Sequence, residues 1–421
     1  MKQAVFTTLL CVVGSALVSA SLGVEPVEPL LRDLPPGLFL KSSTAVTPQQ
    51  AKDIEQKLGG EIERLSNSVL SVLGRMIQVN AITAANDASA QSIEQALLKI
   101  KAFPFCLRRE RLVVEYLGKD IDAALATKTT YELGLLPKPK SVRYRVMAEL
   151  AAVERVDYLS CNSLFNHFVV LRNNPSEEIR RQIGELSQKF SFGRQLVLRN
   201  PGLGHEPSAY QFQPSASDSQ ELGRNVKYSF AELPERQGVP FVTATMQITV
   251  NETGLLANPG APAKSLTSAT AFWPADNPGL AALAQRITAG RATNDAKATA
   301  ILEWLTPGRN LKYSGQTGSR WGVTRVFEQK FGHCWDFSDV FVTLCRASGV
   351  PSRQVAGWLY GSSGHVWTEY FIEGKGWQQV DPTGGGALQC GVYHIPYFTT
   401  EDGEMPILYL SLPTIETVSA Q

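Results

Sequence analysis

The sequence predicts an α+β fold for the last third of the chain, in which one helix packs on an antiparallel sheet. Apolar residues recur at three- and four-residue steps within residues 334–347, which is the period of an amphipathic helix. Residues 365–372 alternate as a strand does, and the turn Glu-Gly-Lys-Gly joins them to a second strand that ends at Asp381-Pro382. Before this unit we expect a helical segment and a mixed, strand-rich region.

The first twenty residues have the pattern of a secretory signal peptide. Lys2 is followed by the apolar run AVFTTLLCVVGSALV, and Val18-Ser19-Ala20 then offers the small residues that signal peptidase accepts. The run is shorter than the roughly 20 residues that a membrane-spanning helix needs. We therefore expect residues 1–20 to be removed and the mature protein to be secreted or periplasmic, without stable membrane insertion.

The composition is that of an ordinary folded protein. The chain has 421 residues, of which 43% are hydrophobic and 19% charged, so it is long enough for two or three domains and is not disordered. Its net charge is +1 and it has no basic block, which argues against nucleic acid as a partner. No CxxC or HExxH motif occurs and the histidines are scattered, so we expect neither a metal site nor a cofactor.

The first part of the mature chain is predicted to be helical. Residues 21–46 have the composition of a linker, and Thr47-Pro48-Gln49-Gln50 is typical of the start of a helix in residues 47–103. A heptad seam follows, formed by Leu58, Ile62, Leu65, Val69, Val72, Met76 and Val79. A second amphipathic stretch contains Ile93, Leu97 and Ile100. We expect two helices that pack on each other or on the next domain. Self-association through the heptad helix of residues 48–85 is the alternative.

Residues 104–258 are predicted to be a mixed α/β region of unknown role. Stretches such as FVTATMQITV favour strands, and Asn174-Pro175 favours a helix start. His167 and His205 have no Cys, Asp or Glu near them in ligand spacing, so we expect them to be structural.

Two cysteines lie on the predicted helix of the last third, and their positions on it predict different roles. Cys345 falls on the apolar face one turn from Phe341, so we interpret it as a core residue. Cys334 falls in the first turn, where unpaired N–H groups and the helix dipole favour a thiolate and can also bind an oxyanion. Asp336 and Asp339 oppose this thiolate. Disulfide pairing is left open among Cys106, Cys161, Cys345 and Cys390.

A candidate base and its orienting group follow the helix. His365 opens the first predicted strand and Asp381 closes the second, sixteen residues later. An even separation across a hairpin centred near Glu373 places the two side chains opposite each other on one face. The carboxylate can then hold one imidazole nitrogen while the other faces the thiol of Cys334.

These residues stand in segments that resemble the core domain of the transglutaminase-like superfamily. The segments are Gly-His-Cys-Trp (332–335), Leu-Cys-Arg-Ala-Ser-Gly-Val-Pro-Ser-Arg (344–353), His-Val-Trp (365–367) and Gly-Trp-Gln-Gln-Val-Asp-Pro-Thr (376–383). The resemblance covers roughly residues 265–395. It implies a papain-like fold with Cys334 as nucleophile, His365 as general acid and base, and Asp381 as the group that orients the histidine. We assign residues 259–398 to this domain and residues 399–421 to a C-terminal tail.

The resemblance implies a secreted thiol enzyme that forms an acyl-thioester from a protein or peptide amide. The acyl group then passes to water or to an amine, with hydrolysis slightly favoured because the calcium-binding insertions of the animal cross-linking enzymes have no counterpart here. In this superfamily an upstream aromatic residue often helps to hold the oxyanion, and Tyr313 and Trp321 both remain candidates. The alternative function is a catalytically silent module that binds peptides or proteins with the same fold.

Overall fold

The computed structural model describes residues 38–156, 190–200, 209–256, 262–314, 320–360, 364–384 and 390–421, apart from short gaps at 73–74, 100–104, 119–125, 127–128, 132, 136–137, 237, 406 and 411–412. The predicted signal peptide, most of the predicted linker and the helix predicted from Asn174 lie outside these residues. Within the described ranges, no helix is both long and apolar enough to cross a bilayer.

The first unit is a five-stranded antiparallel sheet in the order β1-β2-β3-β5-β4. Its strands are β1 (Leu38–Ala45), β2 (Ile62–Val72), β3 (Arg75–Ala84), β4 (Phe105–Arg109) and β5 (Leu112–Leu117). Two helices contact this sheet, α1 (Pro48–Leu58) and α2 (Asp87–Lys99). Thr47 caps α1 with the predicted capping box, and Gly59 ends the helix in a left-handed conformation with φ of 71°.

The helix predicted over residues 48–85 is therefore wrong beyond residue 58. Residues 62–84 form the β2–β3 pair, so these residues contain no helix that could form a coiled coil. Residues 38–45 of the predicted linker are a strand. The heptad spacing predicted the wrong structure because every second residue is buried here, as in a strand: Ser66, Ser68 and Leu70 are all buried in β2. Serine and asparagine between the apolar residues also disfavour a helix interior. The predicted helix around Ile93 and Leu97 is confirmed, and both residues are buried.

The middle of the chain is rich in strands, as predicted. The strands are β6 (Ser141–Val156), β7 (Phe190–Phe192), β8 (Gln195–Arg199), β9 (Ala209–Gln213), β10 (Asp218–Leu222), β11 (Asn225–Ser229), β12 (Glu235–Arg236) and β13 (Val239–Asn251). Residues 241–251 of the long β13 pair with β6, and their burial alternates residue by residue. The predicted C-terminal tail joins the same sheet, because β21 (Ile407–Tyr409) and β22 (Thr414–Ala420) both pair with β6.

The last third has the predicted α+β architecture. Its helices are α3 (Pro278–Ile287), α4 (Asn294–Leu305), α5 (Val323–Gln329) and α6 (Cys334–Ala347). The sheet has the order β14-β19-β18-β17-β20, with β14 (Leu255–Leu256), β17 (Ser352–Leu359), β18 (Gly364–Ile372), β19 (Gly376–Val380) and β20 (His394–Thr400). Helix α6 packs on β17 and β18, and the core between helices and sheet includes Leu280, Ile301, Leu305, Phe337, Phe341, Leu344 and Tyr370.

A buried ion network joins the strand-rich region to this sheet. Glu369 of β18 accepts hydrogen bonds from Arg199 of β8 and Arg353 of β17, each at 2.8 Å, and the three side chains are at most 3% exposed. Burial alone raises the pKa of Glu369, but the two guanidinium groups outweigh it and hold that pKa well below its usual value. Asn225 also donates to the carbonyl oxygen of Thr399 at 2.7 Å. Residues from before and after the predicted domain boundary at residue 259 therefore share one buried charge cluster.

Candidate active site

Helix α6 begins at Cys334 because the preceding residues are fixed by backbone hydrogen bonds. The short strands β15 (Lys312–Tyr313) and β16 (Phe331–Gly332) pair in parallel just before the helix. Asp336 then accepts the backbone N–H of His333 at 3.0 Å and that of Trp321 at 2.7 Å. Cys334 is thereby held at the first position of the helix, in the turn whose backbone N–H groups have no partner within the helix.

The two aspartates of the first turns oppose the thiolate less than the sequence suggests. Burial raises the pKa of Asp336 to about 7, so this group carries only part of a charge near neutral pH. Asp339 is buried and accepts two hydrogen bonds from Arg320, each at 2.7 Å, and one from the indole of Trp273 at 2.8 Å. Its charge is compensated by the guanidinium.

The structure brings His365 and Asp381 together, although not in the register that the sequence suggests. The β18–β19 hairpin is centred on Gly374, one residue after the predicted Glu373, so Asp381 lies two residues from the position opposite His365. Gly374 occupies the centre because the turn needs a residue with φ of 74°. The even offset keeps both side chains on one face, and Nε2 of His365 lies 2.7 Å from Oδ2 of Asp381.

The carboxylate of Asp381 is held by four hydrogen bonds. Oδ2 accepts from Nε2 of His365 and from Nε2 of His394 at 3.2 Å, while Oδ1 accepts from the N–H and the hydroxyl of Thr383 at 3.0 and 2.7 Å. Burial raises its pKa, but the two imidazoles outweigh this effect and hold the pKa well below its usual value. An ionised carboxylate can only accept, so both Nε2 atoms carry hydrogen and Nδ1 of His365 is left for the thiol.

Cys334 and His365 form a pair in which the ionised forms are favoured. Burial raises the pKa of the Cys334 thiol, but hydrogen bonds from His333 and His365 outweigh it and lower that pKa to about 5. Burial lowers the pKa of His365, but the charges of Asp381 and of the thiolate raise it to about 10. Each ionised group therefore stabilises the other.

Of the two aromatic candidates for the oxyanion site, Tyr313 lies at the thiol. Its hydroxyl is 3.2 Å from Nδ1 of His333, and the two rings have centroids 4.5 Å apart. Burial, and after it the nearby charge of Cys334, raise the pKa of this hydroxyl. Trp321 contributes its backbone N–H to Asp336, and its indole ring lies under the guanidinium of Arg325 at 4.2 Å.

The structure describes three further cysteines, Cys106, Cys345 and Cys390. Cys345 is fully buried in the core of α6, and burial raises its thiol pKa well above the usual value. The interpretation of Cys345 as a core residue is thus confirmed. Among the described residues the thiols of Cys106, Cys345 and Cys390 are free, as is that of Cys334, whereas Cys161 lies outside the described ranges.

Sequence reasoning missed His333, His394 and Thr383 at this site. Only His333 had a local signal, since it directly precedes Cys334 at the start of the helix. His394 reaches Asp381 from β20, which pairs with β17 on the far side of the sheet from β19. The ligand atoms of His365, Asp381 and His394 lie within 4.8 Å of one another, which is close enough to hold a metal ion. The hydrogen bonds from both imidazoles to one oxygen of Asp381 account for this cluster without an ion.

The comparison with known families matches the part of the chain that carries this site. Residues 281–382 match the sequence model of the Transglutaminase-like superfamily. This range begins in α3 and ends just after Asp381, so it contains all three residues that the sequence singled out.

Individual relatives match only in part. The chain is 31% identical over 77 residues to the uncharacterized protein YebA of Bacillus subtilis, which is 14% of this chain and 10% of that protein. It is 28% identical over 122 residues to a protein-glutamine gamma-glutamyltransferase of Pseudomonas aeruginosa, which is 25% of this chain and 18% of that protein. The chain thus spans less than a fifth of either relative. A crystal structure titled as a putative cysteine protease from Cytophaga hutchinsonii aligns over 67% of this chain and 92% of its own, with 13% identity and a TM-score of 0.38.

Proposed function

Because residues 281–382 are a domain of the transglutaminase-like superfamily, we propose that this protein is a thiol enzyme that transfers acyl groups from protein or peptide amides. In this proposal Cys334 is the nucleophile, His365 the general acid and base, and Asp381 the group that orients His365. The signal-peptide pattern of residues 1–20 supports action outside the cytoplasm, in a secreted or periplasmic setting.

One observation carries the proposal: Nε2 of His365 lies 2.7 Å from Oδ2 of Asp381, and the same imidazole helps to lower the pKa of the Cys334 thiol. The thiol pKa of about 5 gives a nucleophile at neutral pH, and the His365 pKa of about 10 keeps a proton ready for the leaving group. The short separation of 2.7 Å between His365 and Asp381 stabilises the imidazolium. A binding module has no need of a depressed thiol pKa.

The proposed reaction has two halves. The thiolate of Cys334 attacks the amide carbonyl, the C–N bond breaks, and the leaving amine or ammonia takes the proton of His365, which leaves an acyl-thioester. His365, now neutral, then removes a proton from water or from an acceptor amine as that group attacks the thioester and releases Cys334. Water gives hydrolysis and an amine gives transamidation, so both products arise from one intermediate.

The test is incubation of the full chain with a peptide library, with and without methylamine, followed by mass spectrometry. We expect deamidated or cleaved peptides in water and methylamide products when the amine is present. The Cys334→Ala variant should give neither. If wild type gives no product while peptides bind to it, the silent binding module replaces the enzyme as the better account.

A further inference from the structure

We propose that His394 is a positioning residue of this site, which holds the carboxylate of Asp381 in the orientation that supports His365. This inference rests on the proposed thiol chemistry and adds to it a residue from beyond position 382, where the family match ends. His394 acts through Asp381 and not on the substrate. Its N–H group donates to the carboxylate in both halves of the reaction and gives up no proton.

The contact that carries the inference joins Nε2 of His394 to Oδ2 of Asp381, at 3.2 Å. Oδ2 also accepts from Nε2 of His365 at 2.7 Å, and the two imidazole rings have centroids 6.1 Å apart with 53° between their planes. The two rings therefore reach one oxygen from different directions. An ionised carboxylate can only accept, so the contact requires hydrogen on Nε2 of His394 and makes no demand on its other ring nitrogen.

The sheet presents His394 and His365 on one face. Strand β20 begins with His394, and β17 lies between β20 and β18 in the sheet. Gly357 of β17 pairs with both His365 of β18 and Pro396 of β20, and His394 pairs with Leu359. Because alternate residues of a strand share a face, these pairings place both imidazoles on the same side of the sheet.

Gly357 keeps the space between the two histidines open. A Cβ atom on this residue would clash with the carbonyl oxygen of Ile395 and with the indole ring of Trp367. The absent side chain leaves room for the indole, whose ring meets that of His394 edge to face with centroids 5.1 Å apart. Trp367 is fully buried and His394 is 5% exposed, so this packing fixes the plane of the imidazole.

A second donor on Oδ2 favours the ionised carboxylate throughout the reaction. Burial raises the pKa of Asp381, whereas the charge of His365 and then the hydrogen bonds from both imidazoles lower it by more. Thr383 holds Oδ1 with hydrogen bonds of 3.0 and 2.7 Å, so a donor on Oδ2 completes the hold against rotation. The proton on Nε2 of His365 then stays on the imidazole and does not pass to Asp381.

The test uses two variants of the full chain that divide what His394 supplies. His394→Phe keeps an aromatic ring against Trp367 but has no N–H, whereas His394→Gln keeps an N–H donor but has no ring. For His394→Phe we expect kcat for the amide to fall on the order of tenfold with little change in KM, as one hydrogen bond to a charged group is lost. His394→Gln should stay within about threefold of wild type in kcat. Iodoacetamide labelling of Cys334, measured at a pH below the pKa of a free thiol, should fall in the same order.

A purely structural role predicts the reverse order. Loss of the ring would then impair His394→Gln, while His394→Phe, which keeps the packing on Trp367, would match wild type. Urea melts of both variants measure the loss of packing separately from kcat, which is expressed per folded chain. Combining His394→Phe with Asp381→Asn should cost no more than Asp381→Asn alone, because His394 acts through that carboxylate.

The outcomes separate this inference from the proposed function. If wild type neither turns over an amide nor is labelled at Cys334 below the pKa of a free thiol, the proposed function fails and this inference fails with it. If wild type is active and His394→Phe matches it, or if His394→Gln loses as much as His394→Phe, the role of His394 is overturned and the proposed function stands. Should His394→Phe not fold, a loss of kcat of about tenfold or more in His394→Gln overturns the role by itself.

Discussion

Replacing Asp381 by asparagine tests how the carboxylate supports the thiolate and the imidazolium. In the folded protein one oxygen accepts from His365 at 2.7 Å and from His394 at 3.2 Å, and the other oxygen accepts twice from Thr383. An asparagine that keeps its carbonyl on Thr383 presents its NH2 group to two imidazole N–H donors. His365 must then move its proton to the other ring nitrogen, so the thiol of Cys334 loses its base.

The size of the effect follows from the thiol pKa. Without the carboxylate, we expect that pKa to rise from about 5 towards the roughly 8.5 of a free cysteine. At pH 6.5 a thiol with a pKa of about 8.5 is only about 1% ionised, so the labelling rate of Cys334 should fall on the order of 10²-fold. Acylation by an amide should fall by at least as much, with KM changed little, because the lost support acts mainly in the transition state.

The assay is a pH series of iodoacetamide labelling on wild type and Asp381→Asn. We expect the two curves to differ most near pH 6 and to converge near pH 9, where even a free thiol is ionised. Asp218→Asn, on the exposed strand β10, is the matched control and should follow wild type. Superimposable curves for wild type and Asp381→Asn would refute the reasoning, because they would show that Asp381 gives His365 no support.

Three further predictions concern cysteine roles, pH and the buried ion network. Cys334→Ala should abolish turnover and leave the urea midpoint close to that of wild type. Cys345→Ser should keep activity while it is folded but lose about 1–3 kcal/mol of stability, because it buries a hydroxyl in the core. Equal loss of activity with intact folding in both variants would contradict these roles. Glu369 and Asp381 have pKa values lowered in the folded state, so the unfolded chain binds more protons in acid. Their contribution is complete above the unfolded pKa of about 4 and should be lost as the pH falls below it, which urea melts from pH 6 to pH 3 would detect as a falling midpoint. Arg199→Leu should destabilise the protein by on the order of 3 kcal/mol, because it removes one of two charges that compensate buried Glu369, and an unchanged midpoint would show that Arg353 alone suffices.

The three residues singled out from the sequence were findable because each has a local pattern. The helical period of residues 334–347 and the glycine before Cys334 locate the start of α6, and the turn between β18 and β19 sets the separation of His365 and Asp381. Short-range geometry of this kind depends on neighbours in sequence. Even so, the register was off by two residues, because the position of a glycine with positive φ decides where a hairpin turns.

The contacts that the sequence did not reveal come from distant parts of the chain. His394 and Arg199 reach the sheet from β20 and β8, and nothing in their local sequence marks what they will contact. The error over residues 62–84 has a different origin. Apolar residues spaced by three and four positions can also fit the alternating pattern of a strand, so a short apolar pattern is compatible with both a helix and a strand. Only the glycines at 59–60 indicated that the helix ends there.

The most direct test of the proposed chemistry is detection of the acyl-enzyme itself. The full chain would be mixed with an activated acyl donor, quenched in acid within its first turnovers, and weighed intact by mass spectrometry. We expect one acyl group per chain, located on the peptide that contains Cys334, released by hydroxylamine and absent from Cys334→Ala. An acyl group that maps to another residue, or a donor that turns over with Cys334→Ala as fast as with wild type, would contradict the assignment of Cys334 as the nucleophile.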